Sequence, residues 1–138
     1  MPDYLHTEIE VEVPFHDVDA MGVAWHGNYV KYCEAARCRL LQMIDYDYPK
    51  MRESGFLWPV VELWLKYVRP ARYGQRLRVR AALTEYENRI RVEFRIHDAV
   101  TGERMTEGYS LQVAVDAVSG ELQFVSPPAL LERVEKRR

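Results

Sequence analysis

The chain has 138 residues, of which 48% are hydrophobic and 29% charged, and its formal net charge is −2 at pH 7. This length predicts a single domain, residues 1–138, that can build a core without disulfides or structural metals. The small net charge provides no overall attraction to nucleic acid or anionic membranes. No nucleic-acid partner is therefore expected. No apolar run approaches the roughly 20 residues that a membrane span requires, so no membrane span is expected.

The N-terminal segment and the two cysteines predict a cytoplasmic protein. Residues 1–13 are acidic and alternating, without the basic and apolar regions of a secretion signal. Cys33 and Cys38 lie five positions apart on a predicted helix, so their side chains point in different directions. No disulfide is expected between them, and both are predicted to be packing residues of a protein that is kept reduced.

The first predicted elements are a strand and a long helix. From Thr7 to Phe15, apolar residues alternate with three glutamates, which predicts one buried and one solvated face. From about Gly27 the apolar spacing becomes helical, and the helix is predicted to end near residues 45–55, a segment in which Pro49 and Gly55 break the pattern. Its buried face is predicted to carry Tyr29, Cys33, Ala36, Leu40 and Ile44.

The remaining sequence predicts strands joined in a meander. Residues 58–68 are apolar at both alternating sets of positions except for Glu62 and Lys66, which is typical of a strand buried on both faces or lying in a subunit interface. Further alternating segments are 77–83, 90–96, 108–116 and, after a Ser119-Gly120 turn, 121–125. Ser126, followed by two prolines, predicts the cap and first turn of a short tail helix.

This order of elements predicts an α+β fold. Because no second helix of similar length can receive its apolar face, the long helix should lie across one antiparallel sheet that curls to cover it. The sequence contains no internal repeat or linker that would divide this arrangement.

Between the first strand and the helix lies the segment FHDVDAMGVAWHGNYVKYCEAAR, residues 15–37, which concentrates ionisable groups around glycines. His16, Asp17, Asp19 and His26 are residue types that bind metals. Strand alternation, however, separates His16 from Asp17, and the spacing matches no metal-binding motif. No metal site is therefore predicted.

Two interpretations of this segment remain open on the residues alone. Asp19 or Asn28 would make an ordinary helix cap, but a cap does not explain Trp25 and His26 or the permissive backbone at Gly22 and Gly27. A catalytic site uses the same features differently, because unpaired N–H groups at a helix start can polarise a carbonyl. A nearby carboxylate can then attack that carbonyl or deprotonate water, and a histidine can orient substrate.

The run Asp17-x-Asp19-x-x-Gly22-Val23-x-x-His26-x-Asn28-Tyr29, followed by Glu34-Ala35-Ala36-Arg37, resembles the signature of the hot-dog-fold acyl-CoA thioesterases. The most similar groups are the 4-hydroxybenzoyl-CoA thioesterases and the thioesterases encoded with the Tol-Pal system. Residues 67–79, YVRPARYGQRLRV, also resemble a strand-turn-strand segment of the family, with Gln75 in place of the common Asp. The resemblance covers nearly the whole chain. It implies a curled antiparallel sheet of about five or six strands wrapped around one long helix.

The resemblance also implies roles in the loop. Asp19, the second acid of the pair, would be the catalytic nucleophile or general base, and Asp17 would support the loop. His26 would be catalytic chiefly through its backbone N–H, which would polarise the thioester. Asn28 would brace the loop or cap the helix. The other residues assigned to substrate binding or loop support are Gly22, Val23 and Trp25.

The function implied by the resemblance is hydrolysis of an acyl-CoA to a free acid and CoA. CoA is then part of the substrate, and no metal or redox cofactor is required. Family members form homodimers or homotetramers with each site built from both subunits, so a homo-oligomer is expected. The candidate contacts for the CoA phosphates are Arg69, Arg72, Arg89 and Arg91, for which an ordinary solvated charge is the simpler interpretation.

Three alternatives keep the fold but change the function. An acyl-carrier-protein thioesterase would need a basic rim at the site mouth to meet an acidic carrier. A non-catalytic acyl-CoA-binding protein would not need a carboxylate facing a thioester. A dehydratase is disfavoured because its motif centres on histidine. The identity of the acyl group is open, since Trp25, Trp58 and Trp64 suit an aromatic pocket or simply a core.

Overall fold

The computed structural model describes residues 5–137, which form three α-helices, seven β-strands and a short 3-10 turn at Phe15–Asp17. The helices are α1 (Asn28–Gln42), α2 (Tyr48–Glu53) and α3 (Pro128–Glu135). The strands are β1 (His6–Glu12), β2 (Phe56–Leu57), β3 (Val60–Tyr67), β4 (Arg76–Glu85), β5 (Ile90–Asp98), β6 (Arg104–Gln112) and β7 (Val115–Asp116). None of the helices in this described part is both long and apolar enough to cross a membrane.

Five strands form one antiparallel sheet in the order β1-β4-β5-β6-β3, and β2 pairs separately with β7. Alternate residues of the central strands, such as Val79 and its partner Ile96, are completely buried. The other face carries charges, including the ion pair between Glu10 of β1 and Arg76 of β4. The sheet therefore offers one apolar face, on which α1 packs against β1 and β4.

The buried face of α1 follows the predicted helical period. Its buried residues are Tyr29, Tyr32, Cys33, Ala36, Leu40 and Leu41. Burial raises the pKa of the Cys33 thiol to about 12, so Cys33 is a protonated packing residue. Cys38 is exposed, and its prediction as a packing residue is wrong because its position on the helix faces away from the sheet.

The long helix ends earlier than predicted. Helix α1 stops at Gln42, and Asp45 then takes a left-handed backbone angle, with φ of 55°, which turns the chain. Pro49 lies in the first turn of α2, where the missing N–H needs no intrahelical partner. Pro49 therefore begins a second helix rather than ending the first.

Two of the predicted strand segments differ in the structure. Residues 108–116 are divided into the end of β6 and the short β7, because β7 leaves the main sheet to pair with β2. Residues 121–125 form no strand, and only Leu122 makes a single bridge to Val115. The alternating pattern of 121–125 therefore reflects an exposed connection rather than a sheet strand.

Two end residues also differ from the prediction. Phe15 lies in the 3-10 turn and is 75% exposed, because the chain leaves the strand geometry before reaching it. Ser126 does not cap α3, whose N-cap is Pro127. Instead, the buried Ser126 hydroxyl donates to the Tyr86 carbonyl and fastens the segment before α3 to the sheet.

Strand β3, which contains most of the two-sided apolar segment, lies at the edge of the sheet. It pairs with β6 on one side and has no partner strand on the other within residues 5–137. Its apolar side chains are exposed in the single chain, contrary to burial on both faces. Those exposed by at least 40% are Val60, Val61, Leu63, Trp64 and Tyr67. The exposed apolar side chains therefore favour the alternative prediction, a strand in a subunit interface.

Candidate active site

The segment between β1 and α1 folds into a compact loop. Val18 pairs with Ala24 as an isolated antiparallel bridge, and the Asp19 N–H donates to the Val23 carbonyl at 2.9 Å. Gly22 closes the turn between them with a φ of 78°, a conformation that side chains disfavour. Val23 also pairs with Arg72. The loop is thus held against the turn that follows β3.

Asp19 lies at the tip of this loop, and its side chain is exposed. Its Oδ1 accepts a hydrogen bond of 2.8 Å from the Met21 N–H, two residues ahead. The N-cap position of α1 is occupied by Gly27, which makes no side-chain cap. The capping interpretation is therefore wrong for Asp19, whose carboxylate remains accessible from solvent.

Asp17, in contrast, is buried beneath the loop with only 3% of its side chain exposed. Its carboxylate accepts hydrogen bonds from Lys31 Nζ at 2.7 Å and from the Tyr32 hydroxyl at 2.6 Å. Burial alone raises the pKa of Asp17, but the hydrogen bonds from Lys31 and Tyr32 and the charges of Lys31 and His16 outweigh it and lower the pKa. Burial and the Asp17 carboxylate also raise the pKa of Tyr32, which stays a hydrogen-bond donor.

The backbone carbonyl of Asp17 fixes the second half of the loop. It accepts the Trp25 N–H at 2.9 Å and the side-chain amide of Asn28 at 2.8 Å. Asn28 is thus a brace for the loop and not a helix cap. Gly27 has ordinary helical angles, but an added Cβ there would overlap the Trp25 ring. Close approach of the Trp25 ring, rather than backbone freedom, disfavours a side chain at this position.

An exposed aromatic group borders the start of α1. The rings of Trp25 and His26 are 5.0 Å apart, and His26 lies 6.2 Å from the ring of Tyr67 on β3. The Tyr67 hydroxyl donates to the His26 carbonyl at 3.4 Å. Within residues 5–137, the N–H groups of His26 and Gly27 donate to no acceptor. Two adjacent backbone donors are therefore available at the positive end of the helix.

The structure separates the two acidic residues that the sequence places side by side. Asp19 is exposed and engaged in one local bond, whereas the hydrogen-bonding capacity of Asp17 is taken up by the helix. Sequence reasoning missed Lys31, Tyr32 and Tyr67 as neighbours of the loop. Lys31 lies outside the buried face of α1, but its long side chain reaches back to Asp17.

The arginines predicted to meet CoA phosphates differ in their surroundings. Arg69 pairs with Glu103, and Arg89 and Arg91 form the ion pairs Arg89–Glu85 and Arg91–Glu93. Arg72 is exposed and has no ion pair among the described residues. Its turn is braced by Gln75, whose Oε1 accepts the Arg72 N–H and whose amide donates to Asp98.

In the described part of the chain, His, Cys, Asp and Glu side chains form no group of three or more suited to a metal ion. The four ionisable residues of the loop are instead distributed between its surface and its interior. His16 is 79% exposed and lies 3.7 Å from Asp17, whose carboxylate is already bound to Lys31. The site is therefore built from carboxylate, backbone N–H groups and aromatic side chains.

The family model that describes the thioesterase-like superfamily matches residues 13–134, which include the loop, α1 and strands β2 to β7. The chain belongs to the thioesterase-like superfamily. This membership confirms the resemblance inferred from the loop motif. The match begins immediately after β1 and ends within α3.

Two curated relatives support the same assignment. Over 133 residues, 95% of this chain and 80% of the relative, the chain is 35% identical to the Synechocystis sp. protein sll0410, which is provisionally named an esterase. Over 74 residues it is 28% identical to the acyl-CoA thioester hydrolase YbgC of Escherichia coli, covering 54% of this chain and 55% of that protein. The chain thus matches about half the length of YbgC.

Among solved structures, the thioesterase-like fold of this chain is similar to that of Slr0204, a 1,4-dihydroxy-2-naphthoyl-CoA thioesterase from Synechocystis. The TM-score is 0.83, with 19% identity, over 94% of this chain and 95% of that one. At this identity the similarity shows the fold, which confirms the predicted α+β hot-dog architecture. The names of these relatives agree with the predicted enzyme class, thioester hydrolase.

Proposed function

We propose that this protein is an acyl-CoA thioesterase that uses Asp19 as nucleophile or general base. The observation that carries this proposal is the contrast within one loop: Asp19 is exposed at its tip, while the N–H groups of His26 and Gly27 are free at the start of α1. These groups supply the two requirements of thioester hydrolysis, a basic carboxylate and donors for the carbonyl oxygen.

The backbone donors act on the thioester carbonyl. The N–H groups of His26 and Gly27 hydrogen-bond the carbonyl oxygen, and the partial positive charge of the helix start stabilises the negative charge that develops on it. Losing one such donor typically costs on the order of 3 kcal/mol in the transition state. Because Trp25 and Asn28 are both bonded to the Asp17 carbonyl, this part of the loop is held in place before substrate arrives.

Asp19 supplies the chemistry at the carbonyl carbon. Its carboxylate either attacks that carbon, forming an acyl anhydride that water then cleaves, or removes a proton from the water that attacks. Both routes consume one water, break the carbon–sulfur bond and release the acid and the CoA thiol. Neither requires a metal or redox cofactor. The proposal assigns Asp17 to support only, since Lys31 and Tyr32 already occupy its carboxylate oxygens.

Turnover of acyl-CoA by the wild-type protein tests this proposal. Release of CoA thiol from acetyl-, hexanoyl-, decanoyl- and benzoyl-CoA is followed with a chromogenic thiol reagent, and matched acyl-carrier-protein thioesters are assayed in parallel. We expect hydrolysis of at least one acyl-CoA at a rate that is proportional to protein concentration. Hydrolysis of the carrier-protein thioesters alone would favour the carrier-protein alternative. Tight binding of acyl-CoA without any turnover would establish a binding protein instead.

We further propose that two chains pair through β3 to form a homodimer. An edge strand with exposed apolar residues tends to pair with another strand. Antiparallel pairing of β3 with its copy, centred near the middle of the strand, would place the Tyr67 end of one chain beside the Val60 end of the other. His26, which contacts Tyr67, would then lie at the junction of the two subunits.

Substitution of Val61 by lysine is expected to convert this dimer into a monomer. Val61 is 57% exposed, so a charge there is tolerated by the single chain but disfavours strand pairing. The mass of wild type, Val61→Lys and the control Val118→Lys is measured by light scattering after size-exclusion chromatography. Val118 is 97% exposed outside the sheet, so its variant should remain dimeric. A wild-type monomer, or a dimer that persists in Val61→Lys, would contradict pairing through β3.

A further inference from the structure

The N–H groups of His26 and Gly27 at the start of α1 belong to two consecutive peptide units. The His26 N–H is part of the unit that joins Trp25 to His26, and the Gly27 N–H is part of the unit that joins His26 to Gly27. A peptide unit is planar, so the direction of its N–H is fixed by the position of its carbonyl. The contacts that hold the carbonyls of Trp25 and His26 therefore also aim the two donors.

The two carbonyls are held by different kinds of contact. The Trp25 carbonyl accepts the Asn28 N–H at 2.9 Å, a bond made within the backbone of the loop. The His26 carbonyl accepts the Tyr29 N–H at 3.3 Å and the Tyr67 hydroxyl at 3.4 Å. Among the residues that the structure describes, Tyr67 is the only one whose side chain hydrogen-bonds to either peptide unit. It comes from β3 and not from the helix.

Tyr67 is itself held by the sheet and by aromatic packing. Its backbone pairs with Thr106 of β6, and its ring lies 5.2 Å from the ring of Tyr29. Tyr29 is only 3% exposed, and its hydroxyl accepts the Ala71 N–H at 2.9 Å. The Tyr67 hydroxyl is thus carried by a strand and a packed ring. Its bond to the His26 carbonyl ties the peptide unit that contains the Gly27 N–H to the main sheet.

The bond from Tyr67 should strengthen as the thioester reacts. When the Gly27 N–H donates to an oxygen that gains negative charge, the peptide unit polarises and the His26 carbonyl oxygen becomes a stronger acceptor. At 3.4 Å the bond is long in the free protein, and hydrogen bonds of active sites commonly tighten only when the transition state is bound. An interaction that is stronger in the transition state than in the ground state raises kcat.

We infer that Tyr67 is a positioning residue for the donors that polarise the thioester carbonyl. Its hydroxyl orients the peptide unit between His26 and Gly27, and it acts through that unit rather than on the substrate. The inference rests on the proposed thioesterase function. It gives β3 a second role besides subunit pairing, because the last residue of this strand holds part of the active-site loop.

The test compares the kinetics of wild type, Tyr67→Phe and the control Tyr109→Phe. Phenylalanine at position 67 keeps the ring that packs on Tyr29 and removes only the hydroxyl. Tyr109 also donates its hydroxyl to an acceptor, the Glu62 carboxylate. It pairs with Trp64, three residues before Tyr67 on β3, so it points to the opposite face of the sheet.

Tyr67→Phe is expected to lower kcat roughly three- to tenfold, the factor for one neutral hydrogen bond, with KM changed by less than about twofold. Tyr109→Phe should match wild type in both constants. A raised KM with unchanged kcat would show that Tyr67 binds the substrate directly, which would overturn the inference. An unchanged kcat, or an equal loss of kcat in Tyr109→Phe, would overturn it as well.

Nuclear magnetic resonance keeps this test separate from the proposed function. The chemical shifts of the His26 carbonyl carbon and the Gly27 amide nitrogen respond to the hydrogen bonds that this carbonyl accepts, whether or not the protein hydrolyses a thioester. If wild type has no activity, a change of both shifts in Tyr67→Phe but not in Tyr109→Phe would support the orienting role of Tyr67 while the thioesterase proposal fails. Unchanged shifts in Tyr67→Phe would overturn the inference even if wild type hydrolyses acyl-CoA.

Discussion

Replacing Asp19 by asparagine is expected to lower kcat by at least about 100-fold without lowering the melting temperature. The asparagine side chain retains an oxygen that accepts the Met21 N–H, so the turn at the loop tip is preserved. Only the negative charge is removed, and with it the nucleophile or general base. Steady-state thiol release and a thermal melt of the same preparations give both quantities.

Asp116→Asn provides the matched control for this prediction. Like Asp19, Asp116 uses Oδ1 to accept backbone N–H groups ahead of it, here those of Val118 and Ser119, but it is the last residue of β7. The control should therefore retain wild-type activity. Equal activity of Asp19→Asn and wild type would show that another group performs the chemistry. A parallel loss in Asp116→Asn would instead indicate a general effect on folding.

Replacing Asp17 by asparagine is expected to lower the free energy of unfolding by about 2 kcal/mol at pH 7. The variant loses a buried charge that accepts hydrogen bonds from Lys31 and Tyr32, and such charge-assisted bonds typically contribute about 1.5–3 kcal/mol. The side chain of Lys31 is 55% exposed, so water compensates for part of the loss. Urea unfolding of both proteins measures the difference.

The effect of Asp17→Asn should depend on pH. The pKa of Asp17 is lowered in the folded protein from its usual 3.8, so its charge stabilises the fold fully only well above that pH. As the pH falls below about 4 and through the lowered pKa, this contribution is lost, and the difference between the variant and wild type should shrink. Asp98, whose pKa is lowered to about 2 by hydrogen bonds from Thr101, Gln75 and Val100, adds a further acid-sensitive contribution that both proteins share.

Lys31→Met distinguishes the ion pair from a general effect of the loop. If the pair is responsible, Lys31→Met should also destabilise the protein, and the double variant should lose less than the sum of the two single losses. Strict additivity would contradict a direct interaction. A constant destabilisation by Asp17→Asn between pH 7 and pH 3 would contradict the assigned role of the carboxylate charge.

Local sequence patterns determined the features of this protein that involve residues close together in the chain, namely the buried face of α1 and the turn at Gly22. The apolar spacing on α1 predicts its buried face, since side chains three and four positions apart lie together on a helix. The loop between Asp19 and the start of α1 spans few residues, so the chain itself limits their separation. The turn at Gly22 is likewise encoded locally by the one residue type that readily takes its backbone angle.

The burial of Asp17 and the exposure of Asp19 were decided by the tertiary structure. Nothing in the sequence around them specifies that one is buried against Lys31 and Tyr32 while the other stays exposed. Similarly, the contact between Tyr67 and His26 joins residues 41 positions apart and exists only because β3 ends beside the loop. Such contacts depend on how the loop folds back over the helix, which the periodic spacing of residues along the sequence does not specify.

The position of β3 shows most clearly the difference between what the sequence determined and what the tertiary structure decided. Its composition, apolar on both faces, determined only that both faces of the strand should be buried. A central strand and a strand at a subunit interface satisfy that requirement equally, because burial by the same chain and burial by a partner desolvate a side chain in the same way. The order β1-β4-β5-β6-β3 placed it at an edge, and only that topology left its apolar side chains exposed.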